Sequence, residues 1–169
     1  MTQTTRRAFL VLGAAGLLSA CAATVPPLPA TVSNRPEELS REQILAAINA
    51  TRKANGAPAW TYNPRLETAA RSQARLMASK DTLSHDLGVT LRQRVTDAGY
   101  GGAVGENVAK GYKTLPEAIE GWLASQGHRN TLLSSKFTEF GLAVARTSSG
   151  KPYWAMIAGG SFDAWRVYG

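Results

Sequence analysis

The spacing of apolar residues changes along this chain, and the change limits the folds open to it. Up to about residue 123, apolar residues recur at three- and four-residue steps, as on the buried face of a helix. From Phe140 to Val144 they alternate with small residues, and after turn residues 148–151 a second apolar run covers 153–158. The two runs predict a β-hairpin. Helices that precede a hairpin without regular βαβ alternation predict an α+β fold, with a small, mainly antiparallel sheet flanked by helices.

Capping signals mark where the helices begin. A serine or threonine followed three residues later by glutamine or glutamate forms a capping box, and such boxes start at Ser40 and Thr114. Asparagine followed by proline at 63–64 is another helix start. With the apolar spacing and the glycine stops, these signals predict helices over about 41–55, 64–80, 90–98 and from 115 onwards, and a short strand over 104–109.

Single residues near the fourth helix have interpretations of their own. Gly127 is expected to interrupt this helix, and Asn130 is expected to cap the next one. Trp122 and Trp154 lie on apolar faces and are expected in the core. Trp165 follows the last strand, and its sequence context does not decide whether it packs against the domain.

The first twenty residues are organised like an export signal. Arg6 and Arg7 form a twin-arginine start, and the apolar run 10–18 is too short to span a bilayer comfortably. The run ends in Leu-Ser-Ala-Cys, which resembles a bacterial lipobox ending at Cys21, the one cysteine in the chain. We predict a signal peptide over 1–20 and lipidation of Cys21, with an ordinary signal peptide as the alternative.

The remaining chain divides into a linker and one domain. Residues 21–39 are rich in proline and small polar residues, which predicts an extended tether behind the lipidated cysteine. Residues 40–169 suffice for one domain with a real core. The predicted location is the extracytoplasmic side of a membrane, meaning the periplasm or outer membrane in a Gram-negative cell.

The distribution of charge excludes one class of partner. After removal of the signal, 17 of the 19 basic residues remain against 12 acidic ones. The basic residues are scattered along helix faces, with no basic run and no interleaving with aromatic residues. The sequence therefore predicts no nucleic-acid partner, and it leaves the oligomeric state open.

The two histidines of the chain, His85 and His128, each lie in a short polar segment, with Glu106 about midway between them. Imidazole serves as metal ligand, general base or hydrogen-bond switch near neutral pH. If the fold brings the three residues together, they could bind zinc or a similar divalent ion. Alternatively, Glu106 accepts a hydrogen bond from one histidine and fixes its tautomer without metal, or the residues have unrelated surface roles. The sequence contains no local motif such as His-Glu-x-x-His that would decide among these three interpretations.

Ser125 precedes His128 by three residues, which is within side-chain reach on a helix. With Glu106 it would imitate a serine-histidine-acid triad. The sequence has no Gly-x-Ser-x-Gly elbow and no identifiable oxyanion donor. We therefore interpret Ser125 as a cleft hydroxyl or a helix-end cap.

A set of motifs in fixed order over residues 41–160 resembles the CAP superfamily, also called SCP/TAPS or PR-1-like proteins. The set consists of Ser-His at 84–85, Gly-Glu-Asn-Val-Ala at 105–109, Ala-Ile-x-x-Trp-x-x-Ser-x-x-His-Arg at 118–129, Phe-Gly-Leu-Ala-Val at 140–144 and Tyr-Trp at 153–154. The resemblance implies an α-β-α sandwich. It also implies a cleft that typically holds two histidines and two acids, to which His85, Glu106 and His128 correspond. Ser125 stands where the second acid is expected, which leaves a His/Glu/His set.

Taken together, these observations predict a lipid-anchored CAP-domain protein of bacterial type at the cell envelope. Its cleft would bind a small-molecule, lipid or protein ligand. We assign no catalytic residue, because a fold shared with a family does not transfer an activity. The alternative is a metal-assisted hydrolase of envelope peptides or glycans, which would depend on zinc at the His/Glu/His set.

Overall fold

The computed structural model describes residues 35–166, so the predicted signal with Arg6 and Arg7 and the lipidation site Cys21 lie outside the described residues. No helix within this range has the length and apolar character that a membrane crossing requires. The helices and strands, in chain order, are α1 (Arg41–Ala54), β1 (Thr61–Tyr62), α2 (Pro64–Lys80), α3 (Leu91–Asp97), β2 (Ala103–Lys110), α4 (Leu115–Ala124), α5 (Gln126–Leu133), β3 (Glu139–Arg146) and β4 (Pro152–Gly160).

Local sequence explains where the capped helices begin. At α1 the Ser40 side chain accepts a hydrogen bond from the Gln43 N–H, and the Gln43 side chain accepts one from the Ser40 N–H, so the capping box is complete. At α4 only half of the box forms. The Thr114 hydroxyl accepts from the Glu117 N–H, whereas the Glu117 carboxylate accepts from the N–H of Lys113.

The four strands form one sheet in the order β1-β3-β4-β2. The predicted hairpin is present, since β3 and β4 pair antiparallel, and β2 pairs antiparallel with the other side of β4. The two-residue strand β1 pairs parallel with β3. Strand β1 was not predicted from the sequence, because two residues are too few to show a period. The sheet is thus mainly antiparallel, with β2 at one edge.

Helices cover both faces of this sheet. Every residue of β4 is buried. Alternate residues beginning with Trp154 join a core cluster with α1, α4 and α5, and the intervening residues beginning with Tyr153 join a second cluster with α2 and α3. Successive residues of a strand point to opposite faces, so the two clusters are the two halves of an α-β-α sandwich. The predicted α+β class is confirmed, and Trp122 and Trp154 are buried as expected.

Helix α2 lies directly against β3 at Gly141. A Cβ added to Gly141 would lie 2.0 Å from the backbone nitrogen of Glu67, a separation that no real side chain shows. The small residues Ala69, Ala70 and Ala74 on the buried face of α2 permit this approach. The alanine-rich helix therefore packs closely on the sheet.

The predictions around the junction of α4 and α5 are wrong. The helix breaks at Ser125, which has extended backbone (φ −96°, ψ 122°), and Gly127 lies inside α5. Asn130 also lies inside α5 and caps nothing; its side-chain oxygen accepts from Gln126. The physical reason is tertiary, because the chain must turn between the helices so that both can bury apolar residues in one core cluster.

The domain begins before Ser40. Residues Pro36–Glu38 form a 3-10 turn in which Pro36 is buried, and Glu37 forms an ion pair with Arg146 of β3. This turn lies within the stretch for which the composition predicts an extended tether. The prediction differs from the structure because a proline-rich composition does not reveal that one of the prolines, Pro36, is buried.

Candidate ligand-binding site

The edge strand β2 connects the two helical layers at the candidate site. Glu106 lies opposite Ile157 of β4, and Asn107 lies opposite Met156. Directly opposed residues of an antiparallel pair share a face of the sheet. Glu106 therefore faces the layer of α2 and α3, and Asn107 faces the layer of α4 and α5. Two neighbouring residues thus reach the two segments that carry the histidines.

Glu106 is held between a guanidinium and an imidazole. Its side chain is only 2% exposed, and its Oε1 accepts a hydrogen bond from Arg94 Nη2 at 2.9 Å. Its Oε2 lies 2.8 Å from His85 Nδ1. Because carboxylate oxygens accept hydrogen bonds, Nδ1 of His85 is the donor in this contact. This hydrogen bond fixes the tautomer of His85 and leaves Nε2 for other contacts.

Arg94 also positions the loop that carries His85. Its side chain is fully buried and donates to the backbone carbonyls of His85, at 3.1 Å, and of Val89. Gln73 of α2 donates to the carbonyl of Ser84 at 2.6 Å. One cation therefore both neutralises the buried carboxylate and holds the backbone of the histidine bound to that carboxylate.

Neither Arg94 nor Gln73 is predicted from the sequence to belong to the site. A signal for Arg94 was present, since it follows Leu91 by three residues and adjoins Val95, which places it on the inward face of the predicted helix. A basic residue on an inward face implies an acidic partner, because a buried charge is costly when unpaired. The identity of that partner is decided by the fold.

His128 reaches the same place from α5. Its backbone carbonyl accepts from Asn107 Nδ2 at 2.9 Å. The rings of His85 and His128 lie with their centroids 6.3 Å apart, inclined by 47°. The His85 side chain is 58% exposed, so the two imidazoles adjoin at the protein surface above the buried pair of Glu106 and Arg94. The structure thus brings His85, Glu106 and His128 together.

The surroundings shift the pKa values of the two imidazoles in opposite directions. The hydrogen bond to Glu106 raises the pKa of His85 above its ordinary value. Burial, and then the charge of His85, lower the pKa of His128. On acidification, His85 therefore takes up a proton before His128 does. Protonation turns His85 Nε2 from a hydrogen-bond acceptor into a donor, which changes the ligands that it can bind.

The predicted zinc ligands do not form a three-residue set in this geometry. Each carboxylate oxygen of Glu106 already accepts a hydrogen bond, one of them from a fully buried arginine. Zinc sites in proteins use three or four side-chain ligands. Among residues 35–166, no group of three or more His, Cys, Asp or Glu side chains is placed to bind a metal ion. Zinc held by the two imidazoles alone stays a prediction for direct titration.

Ser125 does not complete a triad. Its backbone lies at the junction of α4 and α5, and its hydroxyl does not cap α5. Glu106 binds His85, whereas Ser125 is close in sequence to His128. Within residues 35–166 no hydrogen bond joins the Ser125 hydroxyl to either histidine, so a serine-histidine-acid relay does not form.

Comparison with known proteins identifies a family. The model of the cysteine-rich secretory protein family, CAP, matches residues 45–157 of this chain. The Bacillus subtilis protein YkwD, described as uncharacterized, is 27% identical over 124 residues, which are 70% of this chain and 48% of YkwD. The B. subtilis protein YlbC, described as an uncharacterized membrane protein, is 52% identical over 42 residues, 25% of this chain and 12% of YlbC. The chain thus spans about half or less of these relatives.

Solved structures share the same architecture. An outer surface protein of Borrelia burgdorferi has a TM-score of 0.64 at 22% identity, covering 71% of this chain and 91% of its own. An extracellular protein of Bacillus anthracis that contains an SCP domain has a TM-score of 0.62 at 27% identity, covering 71% of this chain and 40% of its own. The first of these likenesses supports the fold alone.

Proposed function

This chain belongs to the cysteine-rich secretory protein (CAP) family, and from this premise we propose that it is a binding module at the cell envelope. Its ligand contacts the surface formed by His85 and His128. The observation that carries the proposal is the buried pair of Arg94 and Glu106, which holds a largely exposed imidazole in a defined orientation.

The energetics of the Arg94–Glu106 pair favour a role other than stabilising the fold. Burying two charges costs several kcal/mol per ion, and the attraction between them roughly offsets that cost. Apolar residues of similar volume would serve a core equally well. The pair also directs His85 Nδ1 inward and leaves Nε2 outward, which is the preorganisation that a binding site requires.

The chemistry of the surface defines the ligand class. Protonated His85 presents an N–H donor at the surface, and the half-buried ring of His128 lies 6.3 Å away between ring centroids. Carboxylate, phosphate or carbonyl oxygens fit such a pair of imidazoles. We expect the ligand to be an oxygen-rich component of the envelope, such as a peptide or glycan. Because the hydrogen bond to Glu106 raises the pKa of His85, this binding becomes stronger as the pH falls through that raised pKa.

The proposed location rests on two observations. The Bacillus anthracis relative is an extracellular protein, and the Borrelia relative is an outer surface protein. In this chain the segment predicted to be an export signal, followed by Cys21, precedes the domain. We propose that acylation of Cys21 anchors the mature chain to the extracytoplasmic side of a membrane, where its ligand lies within reach.

A hydrolase is the weaker candidate. Metal-assisted hydrolysis needs a metal with an open position, and Glu106 is committed to Arg94 and His85. Serine-dependent hydrolysis needs the relay that Ser125 does not form. We therefore propose binding without turnover. Turnover of an envelope peptide that both His85→Ala and His128→Ala abolish would contradict this.

Histidine NMR tests the proposed binding surface, because the chain has two histidines and hence few ring signals to assign. Solubilised envelope fractions are titrated into the mature chain carrying Cys21→Ser. We expect a fraction that shifts the ring signals of both histidines in the wild type. We also expect His85→Ala and His128→Ala each to weaken binding about tenfold.

The matched control is Lys53→Ala, an exposed position near the end of α1. This substitution should leave the titration unchanged. The proposal fails if no fraction shifts either signal, or if the histidine variants bind as tightly as the control.

A further inference from the structure

Two exposed aromatic residues stand on the short 3-10 turn Phe162–Trp165, which follows β4. Phe162 is 54% exposed and Trp165 is 46% exposed. In the described range they are two of only three large apolar residues with this exposure, the third being Leu83. Residues three apart in a 3-10 helix lie on the same side, so the two rings form one surface.

Cations accompany both rings. The guanidinium of Arg92 lies 5.6 Å from the centre of the Phe162 ring, and the ammonium of Lys136 lies 4.4 Å from the Trp165 ring. Neither cation forms an ion pair within the described residues. The nearby acid Asp163 is paired with Arg166 at 3.2 Å. The surface is therefore both aromatic and positively charged.

A groove of about 470 Å³ adjoins Trp165. Its wall includes Arg129 and Lys136 and no carboxylate, and Leu133 contributes apolar lining. Arg129 uses its Nε to donate to the Leu123 carbonyl and forms no ion pair in the described range. The groove has the charge and the size to accept an anionic headgroup. We call this surface, with Arg92, Phe162 and Trp165, the C-terminal patch.

The C-terminal patch is separate from the histidine site. Arg129 and Leu133 line the groove, and on α5 they lie about 100° and 140° around the helix axis from His128. The patch follows the end of β4, whereas the histidine site forms beside Glu106 on β2. The histidine-site proposal therefore does not account for the patch.

We propose that the C-terminal patch docks on the headgroup region of an anionic phospholipid membrane. Phe162 and Trp165 enter the interface, where aromatic side chains are favoured, and Arg92, Arg129 and Lys136 attract the negative surface. This combination of exposed rings and unpaired cations distinguishes an interfacial anchor from a single incidental apolar residue.

The segment between Cys21 and the described domain is long enough for the C-terminal patch to contact the membrane that holds the anchor. Thirteen residues, 22–34, separate Cys21 from Arg35, and such a chain reaches at most about 45 Å when fully extended. The turn at Glu37 packs on Arg146, at the opposite end of β3 and β4 from the patch. Nine residues of β4 span about 30 Å, so an anchor at Cys21 allows the far end of the domain to touch the same membrane.

Vesicle co-sedimentation tests the docking. The mature chain with Cys21→Ser, which has no acyl chain, is mixed with vesicles of phosphatidylglycerol and phosphatidylcholine or of phosphatidylcholine alone. We expect binding to the anionic vesicles that weakens with salt. The double variant Phe162→Ala/Trp165→Ala should lower the partition constant about tenfold, and Lys136→Glu at least about fivefold.

The matched control is Lys53→Glu, which changes an exposed cation on α1 by the same charge and should reduce binding less than Lys136→Glu does. Equal binding of the double variant and the wild type would overturn the proposal. Concentration-dependent dimers in sedimentation velocity that the double variant loses would also overturn it, since the patch would then face a second copy. The measurement involves neither acylation nor the histidine site, so its result is independent of the proposed function.

Discussion

Glu106 is the residue on which the site depends. Its two carboxylate oxygens have different partners, and each partner belongs to a different part of the α2–α3 region: Arg94 to a helix and His85 to the preceding loop. Because the carboxylate is buried, losing its hydration is costly, and the ion pair with Arg94 offsets that cost. The orientation and the protonation of His85 thus follow from a pair of charges that solvent does not reach.

The two histidines should titrate on opposite sides of the ordinary histidine pKa. We expect the pKa of His85 above 6.5 and that of His128 below 6.5, measured from the ring proton signals as a function of pH. His128→Ala assigns the two signals. Glu106→Gln removes the charge that favours imidazolium, so the pKa of His85 should fall to 6.5 or lower. An unchanged His85 pKa in Glu106→Gln would contradict the contact.

The same shift determines how stability depends on pH. A raised folded-state pKa means that the stabilisation by His85 is fully present below about 6.5 and is lost as the pH rises through the folded value. The lowered pKa of His128 acts in the opposite sense, because protonation at low pH then favours unfolding. In a His128→Ala background, the remaining pH dependence near neutrality should therefore reflect His85.

Two glycines of this fold differ in whether they tolerate a larger side chain. At Gly141 the backbone of β3 contacts the backbone of α2 so closely that no side chain fits between them. Gly127 lies on an exposed turn of α5, and a Cβ there would meet no atom within 4 Å. The first glycine is required by packing between elements, whereas the second only lowers helix propensity.

Alanine at these two positions should therefore have opposite effects. Gly141→Ala forces α2 away from the sheet and should lower the free energy of unfolding by about 3 kcal/mol or more. Gly127→Ala should raise it by about 0.5–1 kcal/mol, because alanine favours the helix and has space. Urea denaturation of both variants measures the difference. A Gly141→Ala protein as stable as the wild type would show that α2 and β3 are not packed as described.

In the whole molecule, the N-terminal turn, the histidine site and the C-terminal patch lie at different places around the sheet. The turn at Glu37, where the described chain begins, packs on Arg146 at one end of β3, and the C-terminal patch follows the last residue of β4 at the other end. The histidine site lies beside the edge strand β2, where the two helical layers meet past the sheet. The predicted tether, the proposed ligand site and the C-terminal patch can therefore act without obstructing one another.

Acylation of Cys21 would attach the whole chain to a membrane. In a cell supplied with a labelled fatty acid, the wild-type chain should carry the label and pellet with membranes. Cys21→Ser should lose all of the label, because the chain has one cysteine. A matched control, Ser19→Ala, keeps the cysteine and should remain labelled. Label on the Cys21→Ser chain would contradict the predicted anchor.

Local signals accounted for the elements whose ends depend on nearby residues. The capping box at Ser40 and the asparagine-proline start at 63–64 predicted the beginnings of α1 and α2, and the alternation after Phe140 predicted the hairpin. The short strand β1 and the break at Ser125 were not predicted. Both exist because residues distant in sequence pack against them, and a local period carries no information about such contacts.

For the site, the amino-acid sequence shows which residue types are present, and the family resemblance predicts that His85, Glu106 and His128 lie together. Their contacts follow from the fold. Adjacent residues of a strand face opposite layers, so Glu106 turns to Arg94 and His85 while Asn107 turns to His128. The burial of Glu106 makes Arg94 its necessary partner, and partners across 12 and 21 residues of chain follow from packing, which no spacing rule encodes.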